Sequence, residues 1–331
     1  MSYTYKVYLT QGEEHIVRIF DVVNFPTHSS ERRVEDTFSF PDNLLSFLYL
    51  NYEEIEPIIE AAKEAQRRLF ETHEERYAKE LDDHMNNLAK KHIYFEYVRI
   101  DCTRRLELER QKNYECRGEY LPIDFAEQLG ADVYKFQRQL RLLVENCLDM
   151  DKPGTLSEKL VRFYTETRPF AANLIIVDPY RFSFGQLLTQ MQCVDAATFT
   201  EVLYPKRLHD LIDYSVRQCI REETRLRVCK NCGKYFALRG RSTAEYCDRP
   251  FDEKGRTCKD VGAVALWTTK RNDDEVFKLY RREYKRRFAW IKAKRITQDE
   301  FYKWSEDARE KKIQCDRGEI TLEEFGQWLK G

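Results

Sequence analysis

The chain has 331 residues, of which 42% are hydrophobic and 34% charged, with 12 Gly, 9 Pro and a net charge of −1. This composition supports a globular protein of about two domains and disfavours an all-β fold, which needs more turn residues. No apolar run approaches the roughly 20 residues of a membrane span, and the N-terminus lacks a signal-peptide core. We therefore predict a cytoplasmic protein without a membrane partner. Ten cysteines in that compartment indicate a metal site and buried thiols, not disulfides.

Charge is unevenly distributed along the chain. The segment Arg225–Arg295 carries 21 Lys and Arg against 9 Asp and Glu, a net charge of +12, and the remainder carries −13. Such an asymmetry points to a region that binds a polyanion.

The first fifty residues predict a small β-rich cap (1–50). Apolar and polar residues alternate in Tyr3–Leu9, the pair Gln11-Gly12 offers a turn, and His15–Val23 has the composition of a returning strand. The stretch around Pro26 is predicted to be a loop.

Residues 51–224 predict a mainly helical domain. One stripe of apolar residues at helical spacing extends from about Glu54 to Lys91, and a second extends from about Asp132 to Cys147. Each stripe predicts a helix with one buried face.

Further signals lead towards the C-terminal half. The breaker Asp151–Gly154 precedes a capping box formed by Thr155 and Glu158, Phe199–Tyr204 suits a strand, and Pro205 can open a helix. Together these elements predict an α+β fold that is mostly α-helical, with a small N-terminal β-hairpin region.

The clearest motif is a set of four cysteines with the spacing Cys229-x2-Cys232-x14-Cys247-x10-Cys258. Four thiolates suit a tetrahedral zinc ion, and Gly233 permits the tight turn after the first pair. The alternatives are a redox dithiol, which would open a helix after a buried strand, and ordinary buried thiols. An extended-looking segment follows the pair here, so we predict one Zn²⁺ held by all four cysteines. The metal would be structural, because four sulfur ligands leave no open position for catalysis.

The rest of the predicted zinc module (225–267) would be built around this ion. Tyr235 and Phe236 are predicted to begin an outgoing strand that packs under the metal. Thr243–Cys247 would return as a second strand.

The gap of ten residues between the last two cysteines predicts a loop, Asp248–Thr257, that bulges from the site. A helix over Lys259–Trp267 would follow. Cys258 would then lie at a helix N-terminus, which favours a thiolate.

The pattern C-x2-C-G-x-x-F, followed by Tyr-Cys and by a cysteine entering a helix, resembles treble-clef or ribbon-type zinc modules. Over Val228–Arg295 it is similar to the CGNR-type zinc fingers of bacterial transcription regulators, although Lys-Asp-Val follows Cys258 where those fingers have Gly-Asn-Arg. The chain also looks like a family of uncharacterised bacterial proteins with a variable N-terminal half and this module near the C-terminus, including the run Thr257–Ala263. The first resemblance implies DNA binding, and the second implies no activity.

A basic amphipathic helix is predicted over Asp274–Arg295. Its aromatic face adjoins a cationic stripe at positions i, i+3, i+4 and i+7. Such a stripe can lie along a phosphate backbone, and the alternative is a solvated face of a packed helix. The candidate nucleic-acid-binding residues are Lys278, Arg281, Arg282 and Lys285.

The tail within 268–331 repeats itself at an offset of 24 residues, since RITQDEFYKW and EITLEEFGQW align. Thr297 with Glu300 and Thr321 with Glu324 predict two capping boxes, each at the start of a short helix. This helical tail is either a docking surface for a protein partner or a lid over the zinc module.

Signatures of catalysis are missing from the sequence. It contains no P-loop, G-x-G-x-x-G, G-x-S-x-G or H-E-x-x-H motif, so we do not predict an enzyme. A set formed by His73, Tyr77, Glu80 and His84 is the alternative metal site, with an exposed polar face as the competing interpretation. We predict a zinc protein that binds nucleic acid in a regulatory role. The alternative is an interaction or scaffold protein with a purely structural zinc.

Overall fold

The computed structural model describes residues 3–24, 28–114, 118–165, 180–240, 242–252, 255–262, 275–316 and 318–331. The chain divides into two compact units. The larger unit comprises Met1–Val228 and Lys234–Ala244, and the smaller unit comprises Cys229–Gly233 and Glu245–Gly331. The predicted α+β, mostly helical class is confirmed, and the four-part division of the sequence stays a prediction.

An antiparallel sheet of five strands, in the order β3-β2-β1-β5-β4, lies in the larger unit. The predicted hairpin is confirmed, and its register places Tyr3 opposite Phe20 and Thr10 opposite Glu13. Two strands distant in sequence extend the sheet, because Val7 pairs with Leu203. The strands are β1 (Tyr3–Thr10), β2 (Glu13–Asn24), β3 (His28–Ser39), β4 (Thr189–Cys193) and β5 (Phe199–Leu203).

The loop predicted around Pro26 is partly wrong. Residues 25–27 lie outside the described part of the chain, but the polar run that follows belongs to β3 and pairs with β2 from Asn24↔His28 to Glu13↔Ser39. Its residues are mostly charged or hydroxylated, so the sequence lacks the alternation of apolar and polar residues that predicts a strand.

Helices form the rest of the larger unit. A π-helical segment, Val144–Leu148, continues the fifth helix, and a short hairpin closes the unit. Within the described residues the helices are α1 (Asp42–Leu48), α2 (Tyr52–Thr72), α3 (Glu75–Ala89), α4 (Ile93–Gln111), α5 (Phe125–Leu143), α6 (Leu156–Thr165) and α7 (Leu208–Arg221), and the hairpin strands are β6 (Leu226–Val228) and β7 (Tyr235–Ala237).

The single helix predicted over Glu54–Lys91 is wrong, because α2 and α3 are separate. His73 ends α2 in the left-handed region with φ 58°, and its N–H donates to the Leu69 carbonyl at 2.8 Å. The chain therefore changes direction between α2 and α3. The capping box of Thr155 and Glu158 is confirmed, with bonds of 2.7 and 3.3 Å.

Apolar side chains from the sheet and helices form a main core, and Tyr8, Val17, Val194 and Val202 form a smaller separate cluster on the sheet. Phe47, Tyr94, Phe95 and Ile16 are among the fully buried members of the main core. At about 25 cal/mol for each Å² of apolar surface buried, such a core supplies the main stabilisation of the larger unit.

Two titratable groups are buried in this core and share Asn43 as a partner. The Glu14 carboxylate accepts from Asn43 Nδ2 at 2.6 Å and from the Tyr94 and Ser215 hydroxyls at 3.3 Å. Burial raises the pKa of Glu14, although these donors oppose the shift. His92 caps α4 through the Tyr94 N–H at 3.1 Å, and burial lowers the pKa of His92 to about 4. Both groups favour their neutral forms.

The smaller unit combines the cysteine segment with a helical tail. In the tail, Phe325, Leu329 and Ala308 form a small core against Leu279 and Trp304. The helices described are α8 (258–262), α9 (Glu275–Lys292), α10 (Gln298–Asp316) and α11 (Leu322–Lys330).

Both predicted capping boxes of the tail are confirmed. Thr297 N–H donates to Glu300 Oε2 at 2.8 Å, and Thr321 N–H donates to Glu324 Oε2 at 2.7 Å. Each glutamate in turn donates its backbone N–H to the threonine hydroxyl at 3.2 Å. These boxes set the starts of α10 and α11.

Candidate metal centre and basic helix

The first cysteine pair lies in the turn after β6. Gly233 has φ +70° and its N–H donates to the Cys229 carbonyl at 2.9 Å, which closes the tight turn that the sequence predicts. A residue with a Cβ is strained at this φ. The turn brings Cys229 and Cys232 to one side of the backbone.

The second pair reaches the same place by a different route. The predicted strand Thr243–Cys247 is wrong, since these residues are turns and irregular backbone. Instead of a strand ladder, the connection to the first pair includes the bond from Lys230 N–H to the Glu245 carbonyl at 3.0 Å and an ion pair between the Lys230 and Glu245 side chains.

The ten-residue gap before Cys258 closes on itself. Pro250 and Thr257 form an antiparallel bridge, and Phe251 N–H donates to the Arg256 carbonyl at 2.7 Å. Cys258 N–H then donates to the Arg249 carbonyl at 3.0 Å. The two ends of this loop are therefore hydrogen-bonded to each other, which keeps Cys258 close to Cys247 despite the long gap in sequence.

Cys258 begins α8, as expected. Thr257 caps this helix, because the Asp260 N–H donates to Thr257 Oγ1 at 3.2 Å and the Thr257 N–H donates to Asp260 Oδ2 at 2.8 Å. The hydrogen bond from the Thr257 backbone N–H is the largest cause of the lowered pKa of Asp260. Residues 263–267, the rest of the helix predicted over Lys259–Trp267, lie outside the described residues.

The four sulfur atoms form one group, the cysteine cluster, with every Sγ within 4.8 Å of the others. The Sγ atoms of Cys232 and Cys247 are 3.7 Å apart. Four sulfurs at about 2.3 Å from a tetrahedral Zn²⁺ lie about 3.8 Å apart, whereas a disulfide requires about 2.05 Å. The spacing fits a shared metal ion.

Hydrogen-bond donors surround the sulfurs. The Cys247 N–H points at Cys229 Sγ at 3.4 Å, Asn231 Nδ2 lies 3.4 Å from Cys258 Sγ, and an Arg249 nitrogen lies 3.9 Å from Cys247 Sγ. Such donors stabilise thiolates and orient metal ligands. Sequence reasoning missed Asn231 and Arg249, whose identities are unremarkable without the fold.

The protonation of the cluster depends on these donors. Burial raises the pKa of Cys229, but backbone N–H groups, including that of Cys247, outweigh it and lower the pKa to about 7. Burial raises the pKa of Cys247 to about 12. Adjacent thiols cannot all ionise without a cation, and a bound divalent metal would supply the missing positive charge.

The cysteines replace an apolar core in this segment. In the described ranges 229–233, 245–252 and 255–262, the buried residues are three cysteines and Gly262. Tyr235, predicted to pack under the metal, belongs instead to the core of the larger unit and donates its hydroxyl to Asp149 at 2.9 Å.

One close approach braces the segment. Gly262 in α8 lies against the ring of Tyr246, and a Cβ at this position would overlap two ring carbons and approach Asn231 Cβ to 3.2 Å. Glycine therefore lets α8 pack directly on the residue that precedes Cys247.

The predicted cationic stripe lies on α9, and all four of its residues are exposed. The opposite side of α9 packs into the tail, where the ring of Tyr284 meets that of Phe301 at 5.0 Å. The stripe consists of Lys278, Arg281, Arg282 and Lys285.

Charge on the stripe is mostly uncompensated. Glu283, which is buried, pairs with Arg286 at 2.6 Å and approaches Arg282 at 3.5 Å. Across the part of the chain that the structure describes, Lys278, Arg281 and Lys285 form no ion pair with any residue.

The alternative histidine site is not assembled. His73 ends α2 while Tyr77, Glu80 and His84 lie on α3, so the four do not share one helix face. Among the residues described, the cysteine cluster is the one group arranged to hold a metal ion.

No helix in the described ranges is long and apolar enough to cross a membrane.

Comparison with known proteins finds a match for part of the chain. No curated protein and no solved structure matches the chain. Residues 183–329, which include all four cysteines and the cationic stripe, match the model of a family of unknown function, DUF6076.

Proposed function

We propose that the cysteine cluster holds one structural Zn²⁺. The proposal is carried by four sulfurs within 4.8 Å of one another in a segment whose described residues lack an apolar core. Sulfur-only ligation favours zinc among the common structural ions, and with four protein ligands the ion has no open position for a substrate. Metal binding then supplies the folding energy of the segment.

We further propose that the protein binds nucleic acid through the cationic stripe. The observation that supports this function is the exposure of Lys278, Arg281 and Lys285 without an ion pair among the described residues. The stripe extends about 10 Å along the helix axis, at 1.5 Å per residue, which suits contact with successive phosphates. The buried Glu283 carboxylate pairs with Arg286, so it neutralises little of the positive charge of the stripe.

An interaction or scaffold role is the second candidate. Three apolar side chains of the tail, Phe288, Tyr302 and Ile313, are 49%, 56% and 49% exposed. Scattered exposed apolar residues are common, but on a short helical tail they fit a protein partner. In this case the cationic stripe would recognise an acidic protein surface.

Fluorescence anisotropy with duplex DNA and single-stranded RNA across a salt series separates the two candidates. Four phosphate contacts give duplex binding a log–log salt slope of about −3.6. The variant Arg281→Ala with Lys285→Ala should weaken binding and reduce the magnitude of the slope by about 2.

A matched control removes two exposed charges from α10, as Lys303→Ala with Arg309→Ala, and should bind like the parent. Equal losses in both variants would indicate a general charge effect and not a defined stripe. No binding at low salt would favour the interaction role.

A further inference from the structure

A cavity of about 420 Å³ lies within the larger unit, apart from the cysteine cluster and the cationic stripe. Its wall is built from α4, the first half of α5 and the start of α7 together with the segment around Ser183. Small-molecule sites have volumes of about 300–1,000 Å³ and a few convergent polar groups. The basic side chains in its wall are Arg105, Lys135, Lys206 and Arg207.

Basic side chains line the cavity near the start of α7. Lys206 and Arg207 directly precede α7, and Arg207 is its N-cap residue without a side-chain capping bond. The helix dipole makes such a terminus attractive to anions. The buried Asp210 carboxylate in the first turn already pairs with Arg207 at 3.1 Å and accepts from the Lys206 N–H at 2.9 Å, so the side chains free to meet a ligand anion are those of Lys206 and Lys135. Lys135 approaches from α5, and neither Lys135 nor Lys206 has an ion-pair partner among the residues described.

A tyrosine with an unused hydroxyl supplies an independent indication of a ligand. Tyr97 lines the cavity and is 7% exposed, and its hydroxyl has no hydrogen-bond partner in the described part of the chain. Burial raises the pKa of this hydroxyl. The charges of Asp101 and Asp210 raise it further, and the charge of Arg105 opposes them. A hydroxyl in a cavity wall that has no protein partner is satisfied by water or ligand, so this donor is available to a bound molecule.

Negative charge and apolar surface complete the wall. Burial raises the pKa of the Asp132 carboxyl, while the charges of Lys135, His209 and Arg207 oppose the shift. A carboxylate here can accept a hydrogen bond from a ligand hydroxyl. Phe184, which is 39% exposed, offers an apolar surface at the rim.

The wall near α7 is held in place before any ligand arrives. The His209 ring stacks on Phe182 with centroids 5.4 Å apart and its Nε2 lies 2.9 Å from the Ser183 carbonyl. Gly185 N–H donates to the buried Asp213 at 2.6 Å. A site of this kind loses little freedom when it binds a ligand.

We propose that this cavity binds a small organic phosphate monoester. Its phosphate would lie at the start of α7 between Lys206 and Lys135. The hydroxyl groups of the ligand would bond to Asp132 and Tyr97, and its apolar part would contact Phe184. The cavity is much larger than a phosphate ion, which favours an attached sugar or nucleoside.

Isothermal titration calorimetry of the full chain with zinc added tests the proposal. The probes are ribose 5-phosphate, AMP, inorganic phosphate, and ribose and adenosine without phosphate. We expect at least one monoester to bind at least about tenfold more tightly than inorganic phosphate or its unphosphorylated counterpart. Ribose 5-phosphate and AMP distinguish a sugar phosphate from a nucleotide. Absence of binding by both would overturn the proposal.

Variants locate the site. Lys135→Ala with Lys206→Ala should weaken the monoester by about tenfold or more, whereas the exposed pair Lys112→Ala with Lys152→Ala should leave its affinity unchanged. Equal effects of the two double variants would contradict binding in this cavity.

Tyr97→Phe gives a second test that does not threaten folding. Because the hydroxyl has no protein partner among described residues, its removal should weaken the monoester while leaving the melting temperature at or above that of the parent. Unchanged affinity would exclude the proposed contact with Tyr97, and an unchanged affinity in the lysine variant as well would overturn the site.

Discussion

The larger unit and the cysteine segment of the smaller unit are stabilised in different ways. The larger unit buries large apolar side chains such as Phe47, Tyr94 and Phe95. The described residues of the cysteine segment bury cysteines and one glycine. We infer that apolar burial folds the first region and that metal binding folds the second. The tail helices have a small core of their own, around Phe325, and need not follow the metal.

Tryptophan allows the two regions to be followed separately. All four tryptophans of the chain lie in the smaller unit, at Trp267, Trp290, Trp304 and Trp328. Their fluorescence therefore reports on the smaller unit, whereas circular dichroism is dominated by the many helices of the larger unit.

The largest effect is expected from removing one metal ligand. Cys232→Ser should abolish tight zinc binding and unfold the cysteine segment, because structural zinc contributes on the order of 10 kcal/mol. Limited proteolysis should then cut within residues 245–262 of the smaller unit while the larger unit keeps its melting temperature. The control is Cys193→Ser, which changes an exposed thiol outside the cluster. An unchanged digestion pattern in Cys232→Ser would contradict the comparison.

Acid should act on the larger unit through His92. Its pKa falls from 6.5 to about 4 on folding. The free energy of unfolding is therefore undiminished above pH 6.5, and it decreases as the pH falls towards 4 because only the unfolded chain binds the proton readily. At about 1.4 kcal/mol per pKa unit the loss is about 3 kcal/mol. Urea unfolding followed by circular dichroism measures it. His92→Asn keeps an N-cap acceptor for α4 but does not titrate, so it should flatten this dependence. An equal slope in both proteins would assign the effect elsewhere.

A methyl group on α8 should disturb only the metal segment. Gly262→Ala replaces glycine in a helix, which normally favours stability by about 1 kcal/mol, but here the new Cβ overlaps Tyr246. We expect a net loss of about 1–3 kcal/mol, seen as weaker zinc retention against a chelator. In Gly326→Ala on α11 the nearest atom would be Leu279 Cδ1 at 3.8 Å, an ordinary contact. That control should be neutral or stabilising, and identical behaviour of the two variants would remove Tyr246 from the explanation.

The smallest effect concerns the buried carboxyl of the larger unit. Because burial raises the pKa of Glu14 above 4.5, its contribution to stability is complete below pH 4.5 and is lost as the pH rises through the raised pKa. Glu14→Gln should therefore gain stability relative to the parent at pH 7 and gain less at pH 4.5. Denaturant titrations at the two pH values measure this difference. A larger gain at the lower pH would reverse the sign and refute the account of Glu14.

Local chemistry made much of this structure predictable. The capping boxes at Thr155, Thr297 and Thr321 depend on residues three positions apart, and the structure contains all three. The hairpin and the turn at Gly233 are also local, as is the placement of Cys258 at a helix start. The spacing of the cysteines indicated one shared site before any geometry was known.

Features that depend on the whole fold were missed. The helix α4 gives no one-sided stripe because it buries residues on several sides, from Tyr94 and Phe95 to Ile100, Cys102 and Leu106. The sheet gains β4 and β5 by pairing across nearly 200 residues, as between Val7 and Leu203. The cavity beside α7 likewise joins three distant parts of the chain, which no local pattern reveals.

Metal analysis of the purified chain by inductively coupled plasma mass spectrometry tests the central claim most directly. We expect one zinc per chain in the parent and in Cys193→Ser, and a large loss in Cys232→Ser. Dialysis against a chelator should change the tryptophan fluorescence or open the cysteine segment to proteolysis, while the circular dichroism of the larger unit persists. A parent protein that contains no zinc, takes up none, and keeps residues 245–262 protected from protease would show that this segment folds without a metal.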